Sequence, residues 1–258
     1  MLNTIRLFSL CLLLAFPSHA KKLTVAFGDT LAPWVMPSSN NGILVDMVKE
    51  AFKPLGYEVE NVYLPYARRI HAFKTRQIDV VCDINLINIE HSGLMGYFSG
   101  VLYHYENYFF ALSKNKYQFD DIAALKQHSL LSWQGAKVVL GGGYTAMATD
   151  NPYYRETHNQ AQQVKMLFTE RVDVIQLDKN IFNYYRLKMI EQSLIAAEQG
   201  VDVFPLLNTN PNGFLFQDVN IRNQFVSQIE KMKLDGRFEQ LFDAYLSLDK
   251  SVHAPTRN

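Results

Sequence analysis

The 258-residue chain carries 25 lysines and arginines against 25 aspartates and glutamates, two cysteines and 48% hydrophobic residues. That balance excludes a strongly basic nucleic-acid binder and an acidic solvating tail, and 13% aromatic against 19% charged residues excludes a disordered chain. The length accommodates one large domain or two lobes of ordinary size and excludes a small disulfide-stapled scaffold.

Arg6 precedes an apolar run over residues 7–16, and Pro17, Ser18, His19 and Ala20 follow it. This order predicts a secretory signal peptide over residues 1–20, cleaved after Ala20. The run is too short for a membrane span of ~20 residues. Cys11 falls inside it, so the exported chain keeps only Cys82, expected as a small buried hydrophobe.

Residues 22–28 predict a buried strand ended by Gly28. Leu44, Met47, Val48, Ala51, Phe52 and Leu55 recur at three- and four-residue steps and predict a helix, with Gly56 just past its end. Residues 57–63 predict a second strand, 66–75 a helix with Ala67, Ile70 and Phe73 inward, and 78–82 a third strand. Strands and helices alternating over short links predict a parallel α/β sheet.

The second half repeats the plan. Lys137, Val138, Val139 and Leu140 predict a strand ended by Gly141, Gly142 and Gly143, the counterpart of residues 22–28. Residues 168–175 echo 73–81: each helix ends in a charged turn, then a strand opens with an apolar residue and aspartate and ends near a second aspartate, Asp83 or Asp178. Residues 219–246 predict two helices broken at Asp235-Gly236, and residues 251–258 a frayed end. No low-complexity linker intervenes. The expected architecture is two α/β lobes joined by rigid crossovers, residues 21–102 plus 213–258 forming one and 103–212 the other.

Several segments are similar to those of one family. Gly42-Ile43-Leu44-Val45-Asp46 resembles its first-helix start, and Arg76-Gln77-Ile78-Asp79-Val80-Val81 its entry to the third strand. Phe98-Ser99 with Tyr103 resembles its first crossover, and Leu234-Asp235-Gly236-Arg237-Phe238 its closing helix pair. The chain thus resembles the periplasmic solute-binding proteins of ABC importers, family 3, typified by polar amino-acid binders. Leu64-Pro65-Tyr66-Ala67-Arg68-Arg69 is similar to a Pro-aromatic-x-Arg variant of divergent members. The resemblance implies an α/β, two-lobed type II periplasmic binding fold, a monomer in the periplasm and a small polar ligand held by lobe closure. It also implies a permease partner in the inner membrane and no cofactor. One segment departs from the pattern. The family's Thr-x-x-Arg, whose arginine clamps an α-carboxylate, reads Asn88-Ile89-Glu90-His91, so His91 replaces the arginine and free α-amino acids are expected to bind weakly. The resemblance places Asp178 where a carboxylate receives the ligand's amino group.

Ligands of two-lobed α/β proteins sit where strand C-termini and helix N-termini face the crevice. Residues 29–41 then face it, with Trp34 either a stacking wall, which its position favours, or a hydrophobic plug. Arg68, in a first helical turn, is an anion partner or a solvated arginine, and Arg69 is expected on the surface. Asp83 and Asn85 are ligand contacts or turn formers; Asp178 is a ligand contact or a helix N-cap. Tyr144 and Thr145 are contacts after the glycine run or parts of a tight turn. The histidines lack metal-ligand spacing, and no nucleophile or H-E-x-x-H motif occurs. A binding protein is the leading expectation. The rivals are a dehydratase-like periplasmic enzyme on the same fold and a sensory ligand-binding protein.

Overall fold

In the computed structural model, which describes residues 21–246, strand β1 (Lys21–Phe27) runs parallel to β2 (Tyr57–Tyr63) and to β3 (Val80–Ile84). The expected signal peptide and the 251–258 end lie outside the described residues. Leu23, Val25, Ala26 and Phe27 are buried, as a strand covered on both faces requires. Helix α1 (Ile43–Phe52) buries Ile43, Leu44, Met47, Val48, Ala51 and Phe52 along one broad face. It tightens into a 3-10 turn, Lys53–Leu55, and stops at Gly56 with φ 72°. Helices α2 (Tyr66–Lys74) and α3 (Leu86–Ser92) flank β3, and β4 (Tyr97–Phe98) and β5 (Tyr103–Tyr105) lead out of the first lobe.

The second lobe holds β6 (Asn107–Leu112), β7 (Leu130–Trp133), α4 (Ala136–Val139), α5 (Gly142–Asp150) and β8 (Tyr154–Thr157). It continues through α6 (Gln160–Phe168), β9 (Val174–Asp178), α7 (Lys179–Glu191) and β10 (Val201–Phe204). Strand β11 (Asn210–Phe216) returns to the first sheet, and α8 (Val219–Leu234) and α9 (Arg237–Leu246) pack beside α1.

The first sheet has the order β2-β1-β3-β11-β4, with β5 also on β11; the second, read from its far edge, is β8-β7-β9-β6-β10. Along both paths the pairings run parallel, parallel, antiparallel, antiparallel. The antiparallel members are strands that arrive from, or leave toward, the other lobe. The internal repeat read from the sequence is therefore a repeat of sheet order. Its repeated aspartates tie neighbouring strands: Asp79 accepts from the Thr24 amide at 2.8 Å, and Asp173 from the Ser129 amide at 2.9 Å.

One element differs from expectation. Residues 136–139 are helical, and β7 rather than residues 137–140 is the counterpart of β1. Ala136 and Val139, three apart, are buried while Val138 is exposed, which is helical phase. A four-residue apolar run does not distinguish strand from helix by itself. Cys82 is fully buried, with Sγ 2.8 Å from the Ala26 carbonyl, and burial pushes its thiol pKa well up. Among the described residues no helix is long and apolar enough to cross a membrane.

Candidate functional site

The carboxyl ends of β3 and β9 face each other across a cleft, and two adjoining cavities lie there. They meet at Leu31, Asp83, Trp133 and Gln160, which line both. The inner cavity is an amide tray, with Asn85, Asn88, Asn107, Asn210 and Asn212 on its walls beside Tyr105 and Asp178. The outer one adds Asp29, Thr30, Tyr66, Arg69 and His158.

The repeat explains much of this arrangement. Asn85 caps α3 through the Asn88 amide at 2.9 Å, and Asp178 caps α7 through the amides of Asn180 and Ile181. The two caps are equivalent positions in the two lobes. So are Asn212 and Asn107 on the antiparallel neighbours, and Tyr66 and Gln160, the first residues of α2 and α6. Arg69 and Gln163, three residues further along those helices, are both buried. Arg69 Nη1 donates to the Cys82 carbonyl at 2.6 Å, and Gln163 Nε2 to the Gln176 carbonyl at 2.9 Å.

The copies differ at Asp83. One residue more separates Asp79 from Asn85 than separates Asp173 from Asp178, and the extra residue is a bulge. Cys82 pairs with Phe214 and Ile84 with Gly213, leaving Asp83 out of register at φ 60°. Its Oδ2 lies 3.1 Å from Arg69 Nη2, and the Arg69 guanidinium carbon sits 5.7 Å from the centre of the Tyr66 ring.

Asp178 is only 2% exposed. Oδ1 accepts from Trp34 Nε1 at 3.0 Å as well as from the α7 amides, and Oδ2 from the Glu106 amide at 2.9 Å. Burial outweighs these donors and pushes its carboxyl up to about 6. Burial also holds the Tyr105 phenol well above its ordinary value, helped by the charge of Asp83, so it stays protonated and able to donate.

The structure brings Asp83, Asn85 and Asp178 together at the cleft and places the other sequence candidates elsewhere. Trp34 is the plug rather than the wall: it is 2% exposed among Tyr103, Tyr105 and Phe242, with its indole N–H donating to Asp178. Of the two arginines, Arg68 is the solvated one, and Arg69, expected on the surface, is inside. Tyr66, Arg69, Ile70 and Phe73 share the inner phase of α2, which buries Arg69 and leaves Arg68 exposed. His91, in the last turn of α3, is exposed away from the cleft; Asn88, in the first turn, lines the cavity and donates to the Tyr66 hydroxyl at 2.7 Å. Tyr144 is buried in the second lobe's core, stacked on Phe109 and bonded to Ser132, and Thr145 bonds the Lys137 carbonyl at 2.7 Å. Both miss the cleft because β7 ends at Trp133, well before the glycine run. The same shift hid Trp133, whereas aligning residues 129–133 with 24–28 would have put it at a strand end. Tyr105, Asn107, Asn210 and Asn212 carried no signal beyond their place beside the crossovers, and Gln160, at the start of α6, carried none.

The family profile of bacterial extracellular solute-binding proteins, family 3, matches residues 23–248. A search of curated protein sequences found no match. Among solved structures, an ancestral arginine-binding protein bound to arginine is 20% identical, with TM-score 0.69 over 87% of this chain and 97% of that one. A histidine kinase sensor domain with similarity to periplasmic binding proteins is 14% identical, with TM-score 0.72 over 88% and 96%. The substrate-binding protein of an amino acid ABC transporter is also 14% identical, with TM-score 0.66 over 88% and 99%. At such identities these likenesses establish the two-lobed type II periplasmic binding fold. With its profile matched from the first strand to the closing helices, the chain belongs to the bacterial extracellular solute-binding proteins, family 3.

Proposed function

We propose that this protein is a periplasmic receptor that captures a small polar solute between two closing lobes and presents the closed form to an importer permease. One observation carries the capture. The Tyr105 hydroxyl, Asn107 Nδ2 and Gln160 Oε1 are buried around the inner cavity without a hydrogen-bond partner in the protein. Each such group costs about 1–3 kcal/mol when left unpaired, so a site that gathers three is built for a solute that pairs them. Asp83, Asn85 and Asp178 stand around the same cavity as further contacts, and Trp133 offers a ring. The likeness to a transporter's substrate-binding protein supports the importer. On this reading the chain is exported by a signal peptide cut after Ala20, which leaves β1 whole from Lys21, and it works as a monomer. It binds rather than transforms its solute.

Native mass spectrometry of material purified from the periplasm tests the reading. The expected result is a chain beginning at Lys21 with a small organic molecule bound, which is recovered unchanged after incubation. A protein that binds no small molecule from a cell extract would overturn the receptor, and a converted one would make it an enzyme.

A further inference from the structure

The bulge at Asp83 is where the two lobes' cleft ends differ, and it puts a carboxylate at the cleft beside Arg69. No break interrupts the equivalent ladder between β9 and β6. In that lobe a neutral glutamine, Gln163, is enough to tie helix to strand. The first lobe uses a guanidinium at the same place, and its second nitrogen goes to the bulged carboxylate. A non-glycine residue at positive φ is strained and persists only where its surroundings hold it; Arg69, 3% exposed, is what holds it.

Asp83 lines both cavities with Oδ2 committed to Arg69. Gln160 Oε1, buried and unpartnered, is a second acceptor on both, and Asp178 adds another carboxylate to the inner one. Among the described residues lining the two cavities, Arg69 is the only arginine or lysine, and its terminal nitrogens bond the Cys82 carbonyl and Asp83.

We propose that Asp83 is the charge-recognising group of the cleft and that its solute is an organic amine or guanidinium compound carrying no carboxylate. This rests on the receptor reading above. A bound carboxylate would be stripped of water beside the carboxylates of Asp83 and, in either cavity, a second aspartate, Asp178 or Asp29, with the one nearby guanidinium already engaged. An ammonium or guanidinium meets Asp83 and Gln160 as acceptors, and Trp133 gives its body a ring to lie on.

Calorimetry on refolded protein, freed of any carried solute, tests this with pairs differing only in the carboxylate: agmatine against arginine, and putrescine against ornithine. Glutamate and succinate serve as anions. The decarboxylated member of at least one pair is expected to bind about 10-fold tighter or more than its parent. Asp83→Asn is expected to weaken that binding roughly 10- to 100-fold, the worth of one charge-assisted hydrogen bond. Should Asp83→Asn fold poorly with Arg69 unpaired, the double variant Arg69→Gln/Asp83→Asn recreates the neutral arrangement of the second lobe and is expected to lose the amine equally. Equal or tighter binding of the parent acids, no binding of either amine, or amine binding unchanged in both variants would overturn the proposal. If a different solute is then found on the native protein, the receptor reading survives alone; if none of any class binds, both fall.

Discussion

At the scale of single residues, the cleft depends on where buried polar groups find partners. Asp178 illustrates this, because it is at once a helix cap, the acceptor for Trp34 and a wall of the cavity. Its folded carboxyl is held at about 6 against an ordinary 3.8, with burial as the largest cause. The folded state therefore binds the proton more tightly than the unfolded one. The contribution to stability is fully present below pH ~4 and is lost as pH rises through about 6. At 1.36 kcal/mol per pKa unit it amounts to roughly 2–3 kcal/mol. Asp178→Asn keeps one of the two acceptor oxygens and cannot ionise, so denaturant titrations from pH 4 to 7 are expected to lose that fall relative to wild type, whatever the uniform cost of the lost acceptor. Parallel profiles for the two proteins would contradict the assignment. The burial of Arg69 rather than Arg68 belongs to the same scale. A shift of one residue in helical phase turns a surface charge into a buried one, and Arg69 shares the phase of Ile70 and Phe73.

At the scale of elements, the bulged ladder between β3 and β11 demands glycine at one position. A Cβ on Gly213 would stand 2.2 Å from the Gly100 carbonyl oxygen and 2.6 Å from Ser99 Oγ, and that hydroxyl also receives the Phe214 amide at 2.9 Å. Gly213→Ala must push β11 from the 98–100 segment, at an expected cost of about 1–3 kcal/mol in denaturant unfolding. Gly143→Ala is the contrasting case. Gly143 lies inside α5 with nothing within 4 Å of an added Cβ and no positive φ, so alanine should stabilise by up to ~1 kcal/mol. Equal effects of the two substitutions would show that the bulge does not need its glycine.

At the scale of the whole molecule, the lobes are in contact on both sides of the cavity. Thr30 Oγ1 donates to the His158 carbonyl at 2.7 Å at the outer rim, and Trp34 reaches Asp178 near the crossovers. The largest apolar cluster joins Leu31 and Trp34 of the first lobe to Leu177 and Ile181 of the second. Between them β5 and β11 form a two-stranded antiparallel link, Tyr105 opposite Asn210 and Tyr103 opposite Asn212. Rotation about such a link is the hinge motion expected of the receptor, centred near residues 102–105 and 207–213. Small-angle scattering is expected to show stripped wild type more expanded than the solute-bound protein, and stripped Thr30→Val, without the rim bond, more expanded still. A radius of gyration unchanged by solute and by Thr30→Val would argue for a rigid cleft.

What the sequence determined by itself is what neighbouring residues decide. The apolar stripe of α1 and its glycine stop are local, as are β2 over residues 57–63 and the break between α8 and α9 at Asp235-Gly236, where the structure has α8 end at Leu234 and α9 begin at Arg237. The two-lobed plan was legible because it is written twice. Tertiary structure alone decided the identity of β7, since residues 130–133 and 137–140 are both short apolar runs and only pairing with β9 selects the first. It alone decided the bulge at Asp83, which is a property of two strands whose register disagrees by one residue. It also assembled the amide tray: Asn85, Asn107, Gln160 and Asn212 share no periodicity in the chain. They meet because equivalent ends of two sheets face each other, and a lone polar side chain carries no sign in sequence of which buried group will stand opposite it.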